Sequence, residues 1–279
     1  MYTQLLLCLI ILILLIKYIM NIIETKIIFQ PDKIKQTDIE NIKSIKLLYY
    51  YLQPIKNIKI ITDDAIVLDA MYYFNPKINK LIIHAHGNAG NIYCGIEFIE
   101  KYKQFGSVLI FDYRGYGLSS GKPSEKGLHA DILSVWRYAT KKLKFNSSDI
   151  TLYGTSLGCS VILWLSKHLH ENYKKLPRAI IIDSGFYNIK TLACDYIDKK
   201  FRHFIQSKFN NIKYINKIKK HVPILLIHSY QDDIIDISHA YKIIKDAEIS
   251  FKNFILISGS HNNPIFTPQD LERITKFLQ

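Results

Sequence analysis

The sequence predicts one α/β domain: a mainly parallel, eight-stranded sheet with helices on both faces and a short lid insertion, preceded by one transmembrane helix. Three observations carry that reading. Short runs rich in Ile, Leu and Val alternate with stretches of helical period through most of the 279 residues, the pattern of a buried parallel sheet crossed by helices. The length suits one sizeable domain with a short appendage and is too small for a second enzymatic domain. The first two dozen residues are almost wholly apolar.

From Leu5 to Ile16 every residue is apolar, and the run resumes after Lys17 through Tyr18, Ile19, Met20, Ile22 and Ile23. At about 1.5 Å per helical residue the stretch covers roughly 28 Å, near the hydrocarbon thickness of a bilayer. Lys17 reaches the headgroups by snorkelling. A cleaved signal peptide is the alternative; it would begin with positive charge and end at small residues, and neither Met1–Gln4 nor Met20–Thr25 supplies these. The expected organisation is an anchor over residues 1–23, a connector over 24–57 and the α/β domain over 58–279. Lys17, Lys26, Lys33 and Lys35 follow the span, so the positive-inside rule predicts a single-pass membrane protein with its bulk in the cytoplasm.

Within the domain, Ile58–Thr62, Ala65–Tyr73, Leu81–Ala85, Val108–Asp112, Ile150–Tyr153, Ala179–Asp183, Ile224–His228 and Asn253–Ile257 read as strands. The first two form a hairpin about Asp63–Asp64. Helices are expected around Gly95–Lys103, Ser124–Lys144, Cys159–His170, Ser238–Ala247 and Pro268–Leu278. Residues 184–221 exceed a simple crossover, and aromatics alternate there with lysines. A lid over a hydrophobic site, resting on a membrane surface, is one reading of that segment; an amphipathic excursion with a solvated basic face is the other.

The formal charge is +13, yet Ile, Lys and Asn are abundant throughout, as an AT-rich coding sequence produces, and no Arg-rich block or nucleic-acid motif accompanies the excess. No nucleic-acid partner is expected. Cys8, Cys94, Cys159 and Cys194 lie far apart, without the spacing of a disulfide framework or a zinc site. No metal and no cofactor is expected.

The chemistry is concentrated in Gly154-Thr155-Ser156-Leu157-Gly158, which follows the strand ending at Tyr153 and opens a helix. A strand-to-helix elbow strains the backbone at the serine and needs small neighbours, so Ser156 is the candidate nucleophile. A serine hydroxyl needs a base to take its proton. Of ten histidines, His261 stands in the loop after the last strand, where it can reach the carboxyl edge of the sheet. His84, His168, His170, His203 and His221 read as structural. The orienting acid should fall between serine and histidine, and Asp232 lies four residues past a buried strand. Asp233 and Asp236 read as helix caps, and Asp183, at the end of the preceding strand, is the rival acid. For the oxyanion, the backbone N–H of Leu157 is one expected donor; the other comes from His86–Asn91, with Asn88 nominated and Ala89 the alternative. His86 itself reads as a loop-packing residue.

Taken in series, His86–Asn91, Phe111-Asp112-Tyr113-Arg114-Gly115-Tyr116-Gly117, Gly121–Lys126, Gly154–Gly158, His228–Asp232 and Gly259–Asn263 resemble the membrane-associated branch of the α/β-hydrolase-domain serine hydrolases. That branch includes single-span anchored hydrolases and protein depalmitoylases. Two features depart from the depalmitoylases: the amino terminus is an apolar span with only Cys8 instead of a cysteine-rich acylated segment, and Ser229 stands where a glycine usually follows the histidine of the acid motif. The resemblance implies cleavage of a carboxylic ester or thioester with an apolar acyl group, protein depalmitoylation included, through an acyl-enzyme on Ser156. The expected partners are a membrane lipid or an acylated protein as substrate, and the membrane itself. A catalytically inactive membrane-tethered scaffold, or a serine peptidase or acyltransferase using the same three residues, is the alternative.

Overall fold

The computed structural model describes residues 2–35 and 55–279; the expected connector's residues 36–54 lie outside them. Among the described residues the sheet has nine strands in place of the expected eight, in the order β11-β10-β9-β8-β7-β4-β6-β3-β2. The strands are β2 (Ile55–Ile61), β3 (Val67–Tyr73), β4 (Leu81–Ala85), β6 (Ser107–Phe111), β7 (Ile150–Thr155), β8 (Ala179–Asp183), β9 (Ile224–Ser229), β10 (Phe254–Ser260) and β11 (Asn263–Ile265). The added strand is β11, whose three residues are all exposed. It carries Pro264, is too short for a period-two pattern, and turns back antiparallel on β10 at the sheet edge.

Strands β6, β4, β7, β8, β9 and β10 run parallel. Strands β4, β6 and β8 are buried along their whole length, because helices cover both faces. On one face α3 (Glu125–Arg137), α4 (Leu157–Tyr173), α6 (Asn211–Ile218) and α7 (Ser238–Ala247) enclose a core that includes Leu128, Ile162, Ile215 and Ile243. On the other, α2 (Ile96–Tyr102) and α8 (Pro268–Leu278) bury Ile99 and Ile274 against the sheet. The hairpin at Asp63–Asp64 forms as expected, with β2 antiparallel to β3.

The amino terminus differs from a tethered span. Helix α1 runs Tyr2–Ile28, and among the described residues no helix is long and apolar enough to cross a membrane; a number of α1 side chains lie outside that description. The single-pass anchor over 1–23 is therefore not supported by the structure. The helix also continues past residue 23 into the domain. The Glu24 carboxylate accepts from the N–H groups of Gln206 and Ser207, both at 2.8 Å, and Ile28 and Phe29 are buried in the core. The short strand β1 (Gln30–Pro31) then pairs with β5 (Ala89–Gly90).

The segment over 184–221 contains α5 (Ile189–Ala193) and α6, and two buried polar groups pin it. Asn211 accepts from Ser160 Oγ at 2.7 Å and donates to the Phe186 carbonyl at 2.7 Å. His239 Nδ1 accepts from the Tyr187 N–H at 3.0 Å, which leaves Nε2–H to donate to Asp195 at 2.7 Å.

The Arg114 motif serves the fold. Its Nε donates to Asp131 at 2.8 Å and Nη1 to Asp64 at 2.7 Å, and the Arg114 hydrogen bond lowers the Asp64 carboxyl to about 2. Asp131 is wholly buried whereas Asp64 is half exposed. Asp131→Ala should therefore strand a buried guanidinium and destabilise the domain by about 3–5 kcal/mol, while Asp64→Ala should cost less than about 1 kcal/mol. Denaturant melts of both variants check the contrast.

Candidate active site

Ser156 sits between β7 and α4 at φ 52° and ψ −115°, a left-handed backbone that a side chain rarely adopts and that stores strain of about 1–3 kcal/mol. The flanking glycines make it feasible. A Cβ on Gly154 would lie 2.7 Å from the Cys159 backbone, and one on Gly158 would lie 1.9 Å from the Ala85 carbonyl oxygen. The elbow is thus pressed onto the end of β4, where only hydrogen fits. The next loop stands equally close: a Cβ on Gly87 would be 3.5 Å from the Ser156 Cβ. Leu157, the first residue of α4, has an N–H free of the intrahelical ladder by its position.

His261 follows β10 and faces Asp232, which follows β9. Its Nδ1–H donates to the carboxylate at 2.8 Å to Oδ2 and 3.0 Å to Oδ1, leaving Nε2 with a lone pair, the tautomer a general base requires. Burial opposes ionisation of Asp232, but the His261 hydrogen bond and the Ile235 and Ile234 N–H groups outweigh it and hold the carboxyl below its ordinary value. Those amides donate at 2.7 and 3.0 Å. Among the described residues hydrogen bonds join His261 to Asp232 but not Ser156 to His261, a contact that commonly tightens only when substrate is bound.

Asp183, the rival acid, is engaged elsewhere. Tyr153 donates to its Oδ2 at 2.7 Å, and burial pushes its carboxyl above the ordinary range. His84 is buried, stacks on Phe98 at 3.8 Å and is pushed down to about 3 by burial. His168 lies on Trp164, and His170 stacks with His221.

Three side chains missed by sequence reasoning tie the acid loop to the histidine loop. Asp233, expected to cap a helix, instead accepts from the His261 N–H at 3.0 Å. Gln231 accepts from the Gly259 N–H at 3.0 Å, and Ser229 donates to the Gly259 carbonyl. The serine that departs from the family's glycine thus braces the loop that carries His261. No local pattern announces contacts made 28 to 30 residues away. Asp236 accepts from the Ser238 N–H at 2.9 Å just ahead of α7, whose N-cap position is Ile237.

In the oxyanion loop, His86 packs against Tyr113 and Tyr116, and its Nδ1 donates to the Gly87 carbonyl at 2.9 Å. The Asn88 carbonyl accepts from Tyr116 Oη at 2.8 Å and from the Gln30 N–H at 3.0 Å. The segment over 184–221, read either as a lid or as an amphipathic excursion with a basic face, carries a basic feature. A cavity of about 900 Å³ opens there, lined by Lys190, Lys199, Arg202, Lys208, Lys213 and Lys242 among others, and Ser156, Asp232 and His261 are not on its wall.

A mainly parallel sheet with a strained serine elbow at its carboxyl edge, and an acid and a histidine just past the ends of β9 and β10, defines an α/β-hydrolase. The model of the prolyl oligopeptidase family matches residues 122–262, and the chain belongs to this family of α/β-hydrolases. An uncharacterized protein of Acanthamoeba polyphaga mimivirus is 32% identical over 88% of this chain and 90% of its own length. An uncharacterized membrane protein of Saccharomyces cerevisiae is 30% identical over 81% and 80%. Human alpha/beta hydrolase domain-containing protein 17B is 29% identical over 73% and 68%. Among solved structures, a Pyrococcus furiosus esterase superposes with a TM-score of 0.66 at 19% identity, over 90% of this chain and 97% of that one; at that identity the likeness carries the fold.

The geometry separates the two acids by experiment. Asp232→Asn should lower kcat for a simple ester by about four orders of magnitude, as expected when the imidazole loses the partner that sets its tautomer. Asp183→Asn should cost far less, and Asp233→Ala about tenfold through a loosened His261 backbone. Steady-state kinetics of the three variants on one p-nitrophenyl ester decide the order.

Proposed function

We propose that the chain is a serine hydrolase that cleaves a carboxylic ester or thioester with an apolar acyl group, protein depalmitoylation included. The observation that carries the reading is the Asp232–His261 pair, hydrogen-bonded and half-buried at the ends of β9 and β10, in the same sheet whose β7 ends on the strained Ser156. In the proposed reaction Ser156 Oγ attacks the acyl carbonyl as His261 Nε2 takes its proton. The N–H groups of Leu157 and Asn88 receive the oxyanion. His261 then protonates the departing alcohol or thiol, and water repeats the sequence on the acyl-enzyme.

The membrane part of the reading rests on α1. Leu6, Leu7, Ile10, Ile11, Leu15, Ile19, Ile22 and Ile23 are exposed along it, an apolar surface larger than a water-facing helix ordinarily presents. Association of α1 with a bilayer surface would cover them. The lysine- and arginine-lined basin sits where the Glu24 end of α1 meets residues 206–207, so it faces the same surface and favours anionic lipid. The catalytic domain is assigned to the cytoplasmic side. A peptidase on the same residues is the second reading, favoured by the family matched over residues 122–262; an ester substrate and its isosteric amide discriminate the two.

Labelling of the full chain by a fluorophosphonate, with Ser156→Ala as control, tests the nucleophile. Ser156→Ala and His261→Ala should each lower kcat by at least about three orders of magnitude, since such residues act as a unit; activity near wild type in either variant refutes the assignment. Deleting residues 1–23 should leave kcat/KM on a short soluble ester unchanged within a few-fold. On a vesicle-embedded acyl substrate it should cost about ten- to a hundredfold through lost effective concentration. Equal losses on both substrates would mean that α1 supports folding and not delivery.

A further inference from the structure

The residues just after α1 cross the oxyanion loop as a strap. Phe29 packs edge-on against Phe209 at 6.4 Å. Gln30 and Pro31 then pair in parallel with Ala89 and Gly90. The Asp32 carbonyl accepts from the Gly117 N–H at 2.9 Å, and the Ile34 N–H donates to the Gly117 carbonyl at 3.4 Å. The Asp32 carboxylate accepts from Asn91 Nδ2 at 2.8 Å, and Asn91 is buried. The strap thereby touches both ends of the short stretch 88–91, which follows directly on Gly87, the residue beside Ser156.

This arrangement bears on the direction of one N–H. Asn88 lies between two peptide groups. The group before it, which contains the Asn88 N–H, is held by His86 Nδ1 through the Gly87 carbonyl at 2.9 Å. The group after it is held through the Asn88 carbonyl by the Gln30 N–H at 3.0 Å and the Tyr116 hydroxyl at 2.8 Å. Fixing the peptide planes on both sides of a residue fixes its φ and ψ, hence where its N–H points. An oxyanion donor is effective because it is already aimed when charge develops. Without Asp32 the buried Asn91 amide loses its acceptor, and the end of the loop is free to turn.

We propose that the strap is part of the hydrolytic machinery, and that Asp32 and Gln30 are positioning residues which aim the Asn88 N–H at the oxyanion. The proposal rests on the serine-hydrolase reading above. It also joins α1 to the reacting centre through a few residues, so that the membrane-proximal segment and the oxyanion loop move as one.

The test uses full-length variants on a soluble p-nitrophenyl ester. Asp32→Ala should lower kcat about tenfold, a fraction of the hundredfold or more that follows loss of a whole oxyanion donor, with KM unchanged within about twofold. The affinity of an alkyl boronic acid, which forms an anionic tetrahedral adduct on the serine, should fall by the same factor as kcat. Asp32→Asn keeps a carbonyl to accept from Asn91 and should recover most of both. Gln30→Pro, which removes the N–H given to Asn88 while leaving the Asp32–Asn91 contact in place, should reproduce the kcat-selective loss and serves if Asp32→Ala does not fold. Unchanged kcat in Asp32→Ala and Gln30→Pro, a loss confined to KM, or a loss that follows the melting temperature without rescue by Asp32→Asn would each overturn the positioning role. Ser156→Ala separates the levels: full activity there overturns the serine reading itself, whereas Ser156-dependent activity indifferent to Asp32 overturns the strap alone.

Discussion

The contact between the elbow and the end of β4 constrains everything around it. With 1.9 Å between a would-be Gly158 Cβ and the Ala85 carbonyl, the turn can close only on hydrogen, and closing it drives Ser156 to φ 52°. A residue in that conformation persists because its surroundings over-determine it. Here they are the buried strands β4 and β7, the Ser156 N–H given to the Asp183 carbonyl at 2.9 Å, and the start of α4. On the same edge, Gly87 of the His86–Asn91 loop stands against the Ser156 Cβ. The positions of Ser156 and of Gly87 thus share one crowded edge of the sheet.

Asp232 and His261, the proposed acid and base, stand past the ends of β9 and β10, and hydrogen bonds hold them. Asp232 is saturated by two backbone N–H groups and His261, which keeps it ionised in a half-buried setting where desolvation alone would favour the neutral acid. Ser229, Gln231 and Asp233 brace the two loops against one another. The ring is oriented by a network of short side chains on rigid strand ends, the arrangement that best preserves a reactive geometry.

The eight buried or half-buried strands were legible because each is a run of β-branched and apolar residues of ordinary length between turn residues, and the elbow because its glycines have a steric cause that the spacing reveals. What escaped was short or distant. Strand β11 has three exposed residues including Pro264, which offers no pattern. The strap is a two-residue strand whose partner lies 59 positions on, at Ala89, inside a segment that reads as connector. Asp233 resembled a helix cap because capping and loop bracing ask the same thing of a carboxylate, and only the fold decides which N–H it meets. Over 184–221, alternating aromatics and lysines fitted a hydrophobic lid and an amphipathic excursion alike. The structure buries Phe186 and Phe209 in the core and turns the lysines to a basin, as amphipathic helices on a sheet do.

The most direct test of the central claim, that Ser156 carries the acyl group between substrate and water, is rapid acid quench of the full chain during turnover of a long-chain acyl thioester, followed by peptide mass spectrometry. The expected result is one acyl adduct on the peptide containing Ser156, present in the steady state and absent from substrate-free protein. Turnover with no adduct there, or with the acyl group on a cysteine such as Cys194, would contradict the claim.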